Sequence, residues 1–487
     1  MTLDLHSAPR NWRTRVVMFC VGFAVALGLA CIASCGGGGV VGSGGTGVPY
    51  GVTQGTVNGF GSIIIDGVGY DERGARVVVE VGPGQDVLSD VRLGNRVSLV
   101  YQMAGVAQGV RVEPTLIGPV ASVASANQFS MLGQDVRVNT SAATGPVTQF
   151  GGGYTQPGDV RAGDSVELHG VVVTHGPTYL IQATRIDKLA AVPAYLRVTG
   201  VLANLSAGAS PAFSLGALAV DAQAALLLPE GVALANGQTV TLLALPATLT
   251  APIVGAPRLK AAQIRVAGVH DSGLDNYVSG SISHLDAQAK TFTLGSLGVR
   301  YAGASLTPAG TALANGQYVQ VRGNVAADAV LVAVGVRVRD GRSEVEGELK
   351  GNIAGFVAGT ASFNLRGVQV DARRATLTGC PNTGLADGLF VEVQGALSAN
   401  GVIAATVHCE GEPAGAIVER EGVASSVDLL AGRFTLTSEQ GSVTPVTWSD
   451  STYFGRVSPA SLAGKKVHVE GSIVNSVMAA TKVQVDN

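Results

Sequence analysis

Short Val-rich runs in which every second position is apolar recur along this chain, each broken by Gly, Asn, Asp or Pro. That alternation predicts half-buried strands joined by tight turns. The sharpest anchor is a Gly, two variable positions and a Val. It occurs as Gly94-Asn95-Arg96-Val97, Gly163-Asp164-Ser165-Val166, Gly237-Gln238-Thr239-Val240, Gly316-Gln317-Tyr318-Val319, Gly388-Leu389-Phe390-Val391 and Gly464-Lys465-Lys466-Val467, with successive glycines 69, 74, 79, 72 and 76 residues apart. Each copy opens on a Gly inside a Val-rich strand (Gly55, Gly118, Gly200, Gly280, Gly347, Gly422). A second strand centres on Ile63, Phe129, Phe213, Phe292, Phe363 or Phe434, and a third carries Val-x-Val or similar, as in Val136-Arg137-Val138 and Val368-Gln369-Val370. The Gly-anchored fourth strand turns through a hairpin into a fifth, as in Ala183-Thr184-Arg185-Ile186, Ala405-Thr406-Val407-His408 and Ala480-Thr481-Lys482-Val483.

The expected fold class is therefore all-β: six tandem five-stranded repeats, each a small β-barrel or a sandwich. The five-strand order is analogous to oligonucleotide/oligosaccharide-binding (OB-like) barrels, at the level of fold alone. The boundaries read 53–113, 118–187, 197–266, 278–339, 344–410 and 416–487. The junctions Glu113–Ile117, Lys188–Leu196, Ala267–Tyr277, Asp340–Ser343 and Glu410–Gly415 concentrate charge, Pro or Gly, as linkers do. Near-autonomous units are expected, with neighbours lending support, because about 70 residues bury only a modest core.

Residues 1–34 do not fit the period. Arg10, Arg13 and Arg15 precede an apolar run from Val16 to Ala30 that ends in small residues, the layout of a secretory signal. Ile32-Ala33-Ser34-Cys35 resembles the bacterial lipobox. That resemblance implies cleavage before Cys35 and acylation of its sulfur and new amino group, and Gly36 in place of Asp implies outer-membrane sorting in a Gram-negative cell. Several acyl chains at ~0.8 kcal/mol per methylene make such a tether effectively permanent. The other reading is a retained membrane helix, since Val16–Ser34 approaches the length of a bilayer span. Residues 35–52 then form the acylated Cys and a flexible Gly-rich tether.

The repeat itself resembles a tandem β-domain of bacterial secreted lipoproteins that is known only as a domain of unknown function. The opening Gly, the Phe-centred second strand, the Gly-x-x-Val strand and the terminal Ala-x-x-Val carry the resemblance over nearly all of the mature chain. The first copy departs from it with Ile63, and the sixth with Glu421 before Gly422. No activity comes with the family.

Composition narrows the function classes. Removing residues 1–34 takes away three basic residues and Asp4, leaving 29 Lys+Arg against 34 Asp+Glu, a net charge of −5. That lacks the basic footprint of nucleic-acid binding. Of five cysteines, Cys20 and Cys31 leave with the signal and Cys35 takes lipid, so Cys380 and Cys409 remain, both in the fifth repeat. An exported location permits a disulfide between them, worth roughly 3.5 kcal/mol by loop entropy; two buried thiols or a redox pair are the alternatives.

No catalytic motif is present, and no cofactor is expected. His169 and His175 lie on one face of a long hairpin, but ~20 Å of strand separates them, too far to share a metal. His468 occupies an outward position shared with Ser98, Glu167, Thr241, Gln320 and Glu392, which reads as a solvated strand face. Asp66, Asp221 and Asp371 fall near strand ends and read as turn formers. Trp448, Tyr453 and Phe454 form the densest aromatic cluster late in the chain; they read as core packing or, more sharply, as a ligand face.

The leading expectation is a lipid-anchored, non-enzymatic structural or interaction array of the cell envelope, with the membrane as one partner and an envelope protein or polysaccharide as another. The second is a module binding an oligosaccharide, peptide or hydrophobic envelope component on a barrel face. An enzyme using carboxylates assembled across repeats comes third.

Overall fold

The computed structural model describes residues 50–485 except 66, 103–104, 142–146, 176–177, 207, 209–210, 251–255, 267–275, 295–296, 327–329, 339–345, 413–414 and 440, and leaves aside the side chains of 50, 172–179, 276–277, 279, 281 and 346. The signal, Cys35, most of the tether, Asp66 and the side chain of His175 thus lie outside the described residues. What is described falls in one compact unit, Val48–Asn487. It is all-β, with no α-helix among the described residues.

The fourth repeat shows the pairing order. Its first strand, Asn276–Asp286, runs antiparallel to both the second, Thr291–Leu294, and the fourth, Tyr318–Val325. The second pairs with the third, Leu297–Arg300, which lies parallel to the fifth, Leu331–Val338. Because the fifth also pairs with the fourth, the hydrogen-bonded path returns to where it began. The same antiparallel order, with a parallel third-to-fifth contact, recurs in the first, second, fifth and sixth repeats, in the first through the bridge Asp71↔Val106; in the third, the fifth strand is split, Arg258–Lys260 pairing with the third strand and Gln263–Val266 with the fourth.

Two glycines in the motif make this path close. The Gly that opens Gly-x-x-Val has φ between +77° and +89° in all six copies, a left-handed turn that glycine takes without strain. From that turn its N–H donates to a first-strand carbonyl: Gly94 to Val57, Gly163 to Val120, Gly237 to Leu202, Gly316 to Ile282, Gly388 to Ile353 and Gly464 to Ala424, all at 2.8–2.9 Å. The motif Val follows directly and is buried in every copy, as are Ile63 and the five second-strand Phe residues. Each buried Phe contributes roughly 1.5–3 kcal/mol.

The second glycine ends the motif. At Gly170, Gly323, Gly395 and Gly471 the register with the fifth strand slips by a residue, a β-bulge that bends the strand around the core. A Cβ there would lie 2.7, 2.3, 2.1 and 2.2 Å from a fifth-strand carbonyl oxygen, respectively. The first repeat makes the same slip with Tyr101.

The repeats are less independent than their sequence implies. Two strands of the second and third pair directly, and these repeats share one core around Leu116, Phe129, Leu196 and Phe213. Another core joins Ile63 and Leu99 of the first repeat to Phe363 and Val391 of the fifth. Only the fourth and sixth have cores nearly their own. The first strand of the first repeat, Tyr50–Phe60, pairs in parallel with the opening strands of both the fourth and the fifth, at Gly51↔Tyr277 and Gly59↔Glu348. Nor is the junction Glu113–Ile117 a solvated linker, since Thr115 is 6% and Leu116 0% exposed. Repeats distant in the chain thus pack together, which corrects the expectation of near-autonomous units leaning on sequence neighbours.

The two glycine positions should respond differently to substitution. Gly316→Ala meets open space and only the left-handed backbone, so a cost of about 1–2 kcal/mol is expected. Gly395→Ala drives a methyl into the Ile403 carbonyl and should cost about 3 kcal/mol or more. Urea unfolding resolved by hydrogen exchange in the fourth and fifth repeats measures both; equal costs would refute the bulge assignment.

Candidate functional site

Strand alternation puts the residue three after the motif Val on the outer face, where water is expected. Yet His169 is 0% and Glu470 7% exposed, because in each case another repeat covers that face. These covered faces are where the titratable side chains collect, in three joints that all involve the first repeat.

The joint to the second repeat is built on His169. Its Nδ1 accepts the Arg96 backbone N–H at 3.0 Å, while Nε2 lies 2.9 Å from Asn95 Nδ2 and 3.1 Å from Glu167 Oε1. Beside it Arg185 pairs with Asp187 at 2.6 and 2.7 Å and donates to the Leu93 carbonyl at 3.1 Å, and Arg92 reaches Asp187 at 2.9 Å. Burial pushes the Asp187 carboxyl up, but Arg185 and Arg92 outweigh it and hold it below the usual range.

The joint to the third repeat is built on Arg197, 2% exposed. Its Nε donates to the Pro114 carbonyl at 2.7 Å, Nη2 meets Glu113 at 2.6 Å and Nη1 lies 3.5 Å from Glu80. Glu80, itself 3% exposed, also accepts from Arg265 at 2.8 Å and Gln263 at 3.0 Å.

The joint between the first, fifth and sixth repeats is the richest and borders an open cleft. Arg366 sits with Gly367 in a two-residue hairpin between the second and third strands of the fifth repeat, both with positive φ (52° and 75°). That primed turn aims its tip outward. The Arg366 N–H donates to Glu419 at 2.9 Å, and Nη2 meets Glu72 at 2.7 Å and Glu470 at 3.2 Å. The guanidinium lies 5.2 Å from the centre of the Phe60 ring. Lys482 completes the set, at 2.8 Å from Asp90 and 3.1 Å from Glu470. Ser89, Ser451 and Tyr453 line the cleft with these groups.

This joint holds four carboxylates against two cations, and its protonation reflects that. Burial, with the like charge of Glu470, pushes the Glu419 carboxyl up to about 7. Burial also raises Glu72 despite Arg366. Glu470 is held low: burial opposes its charge, but Lys482 and Arg366 outweigh that. Among the described residues, no group of three or more His, Cys, Asp or Glu side chains is placed to hold a metal.

The positions singled out from sequence fare unequally. Cys380 and Cys409 are joined, with Cα atoms 4.7 Å apart. Trp448 packs on Phe434 at 6.0 Å and edge-on to Phe454 at 5.9 Å, against the sixth core. Tyr453 points instead to the cleft, so the aromatic trio does not form one face. His468 lies 3.6 Å from Glu421. Asp221 and Asp371 accept backbone N–H groups two residues on, as turn formers do. The outward slots read as solvated are half-buried: Ser98 donates to Glu113, Thr241 bonds Thr199, Gln320 reaches the Tyr101 hydroxyl and Glu392 meets Lys350. Sequence reading missed Arg366, Glu72, Glu419, Glu470 and Lys482 altogether. The one available signal was Arg366-Gly367, since a two-residue hairpin ordinarily starts with Asn, Asp or Gly.

Arg197→Met should destabilise the chain by about 3–5 kcal/mol, because Glu80 and Glu113 lose their shared partner. Adding Glu80→Gln should recover part of that loss, as Arg265 can hydrate once Glu80 is neutral. A double-mutant cycle by urea unfolding tests the coupling, and strict additivity would disprove it.

Comparison with known proteins follows the same repeats. Residues 117–187, 279–337 and 350–407 match the family described as a domain of unknown function (DUF5666). These segments correspond to the second, fourth and fifth repeats. No curated protein matches the chain. One solved chain, described as drosophila Unr CSD456, is 13% identical, with 45% of this chain and 98% of that one covered and a TM-score of 0.13. A likeness at that level carries no argument about fold or function.

Proposed function

We propose that this chain, which carries tandem copies of the domain of unknown function DUF5666, is a lipid-anchored cell-envelope protein that acts as a non-enzymatic structural and interaction scaffold. Six small five-stranded OB-like barrels make up the scaffold in this reading. The recurrent return of the strand pairing from fifth to fourth to first supports the barrel over the sandwich.

The observation that carries the functional reading is how the buried charges are used. Arg197 with Glu80, Arg366 with Glu72 and Glu470, and Asp187 with Arg92 form ion pairs across repeat boundaries. Groups committed in this way fix the mutual orientation of the repeats and leave their chemistry occupied. An assembly held at many joints presents its outer loops and strand faces as one surface. That suits a partner protein or polysaccharide of the envelope.

The anchor rests on Ile32-Ala33-Ser34-Cys35-Gly36, which supports an outer-membrane lipoprotein facing the periplasm or the cell surface. The runner-up, a module binding an oligosaccharide, peptide or hydrophobic envelope component, is favoured by one feature. The cleft sets the rings of Phe60 and Tyr453 among hydroxyl and charged groups.

Cys35→Ala should leave an uncleaved precursor that takes up no palmitate analogue. Continued labelling of that variant, at Cys31 or elsewhere, would remove the anchor from the proposal. Capture from intact envelopes with the soluble chain starting after Cys35 tests the scaffold; a single small ligand with no macromolecular partner would favour the module.

A further inference from the structure

The sixth repeat is attached differently from the rest. The first, fourth and fifth repeats share one hydrogen-bonded sheet, and the second and third share another. The sixth repeat's six strand segments pair only with one another among the described residues. Its core is also its own, apart from Phe390 of the fifth repeat. What holds it against the first and fifth repeats is otherwise polar: Arg366 to Glu419 and Glu470, Lys482 to Asp90, Arg420 to Asn352, and Arg73 to the Gly415 carbonyl.

Within that contact the sixth repeat places Glu419 and Glu470 directly opposite each other on antiparallel strands. Like charges in that register repel. Docking then covers them with the Arg366 hairpin and brings up Glu72, with Asp90 and Tyr453 at the edge and Lys482 beneath. Six charged groups, three of them already neighbours on the sixth repeat, are thereby shut together with an excess of carboxylates.

We infer that the sixth repeat is a releasable module whose docking onto the first and fifth repeats is controlled by protonation of Glu419 opposite Glu470. Burial, which docking completes, pushes the Glu419 carboxyl up to about 7, on top of the like charge of Glu470 that faces it in either form. The docked form therefore binds the proton more tightly, and docking weakens as pH rises from the ordinary carboxylate range through neutrality. Glu470 is held low when docked and so opposes docking at strong acidity. Docking is tightest on the mildly acidic side of neutrality.

Hydrogen exchange on the full chain at about pH 5.5 and pH 8, corrected for intrinsic rates, tests this. Protection of the Arg366 amide, which docking satisfies through Glu419, should fall severalfold at the higher pH. Strands Lys466–Val474 and Val477–Val485 should keep their protection, since the module stays folded. Glu419→Gln, neutral at both pH values and still able to accept the Arg366 N–H, should reduce the change to less than twofold. Constant protection at Arg366 would overturn the inference. So would an unchanged response in the Gln variant, or loss of protection throughout the sixth repeat, which would indicate unfolding. The wild-type pH series decides the question even where the variant does not fold.

Discussion

Arg366 and Arg197 carry full charges into places that water hardly reaches, and the mutual arrangement of the repeats depends on how those charges are met. A buried guanidinium costs several kcal/mol unless carboxylates and carbonyls complete its hydrogen bonds. Here the partners come from different repeats, so the cost is offset only when the repeats are correctly placed. The offset is incomplete, because Nη1 of both arginines lacks a hydrogen-bond partner among the described residues. An apolar contact of the same area would hold the repeats at least as tightly. What the ionic joint adds is intolerance of the wrong arrangement, since a shifted repeat would strand a charge.

The first repeat takes part in each of these joints, and its departures from the family pattern make sense in that light. Its opening strand is shared with two other repeats, and close approach is possible there because Gly59 and Gly280 carry no side chain: a Cβ at Gly59 would lie 2.1 Å from the Glu348 carbonyl oxygen, and one at Gly280 2.8 Å from the Gln54 carbonyl oxygen. Tyr101 replaces the bulge glycine and packs 4.9 Å from Tyr70, whose hydroxyl bonds Tyr318 of the fourth repeat at 2.9 Å. A residue that would spoil a free-standing repeat becomes useful at an interface. The same exchange is seen at the primed hairpins, where Leu132 of the second repeat fills an apolar joint against Leu196 and Arg366 of the fifth fills an ionic one.

The repeat was readable from sequence because its causes are local. A left-handed turn demands Gly94 and its five counterparts, a two-residue period demands Val97 and its counterparts, and a small core demands one large apolar residue such as Phe292. The joints were not readable, because alternation states only which side of a strand faces the repeat's own core. His169 and Glu470 stand on the opposite side, and nothing within about 70 residues of sequence records that another repeat will cover them. Cys380 and Cys409 were legible as the two thiols left in one repeat. Tyr453 was found as a neighbour of Trp448, yet strand alternation separates the two, one to the core and the other to the cleft.

The contrast between joints suggests how one domain type builds an assembly with both fixed and adjustable parts. Shared sheets and shared cores respond little to solution conditions, because backbone pairing and apolar burial do not titrate. The second and third repeats, and the first and fifth, are joined that way. The sixth is held by carboxylates whose charge excess is relieved by a proton, so its attachment inherits the pH of its surroundings. A last repeat fastened in this way responds to pH while the rest of the framework stays unchanged.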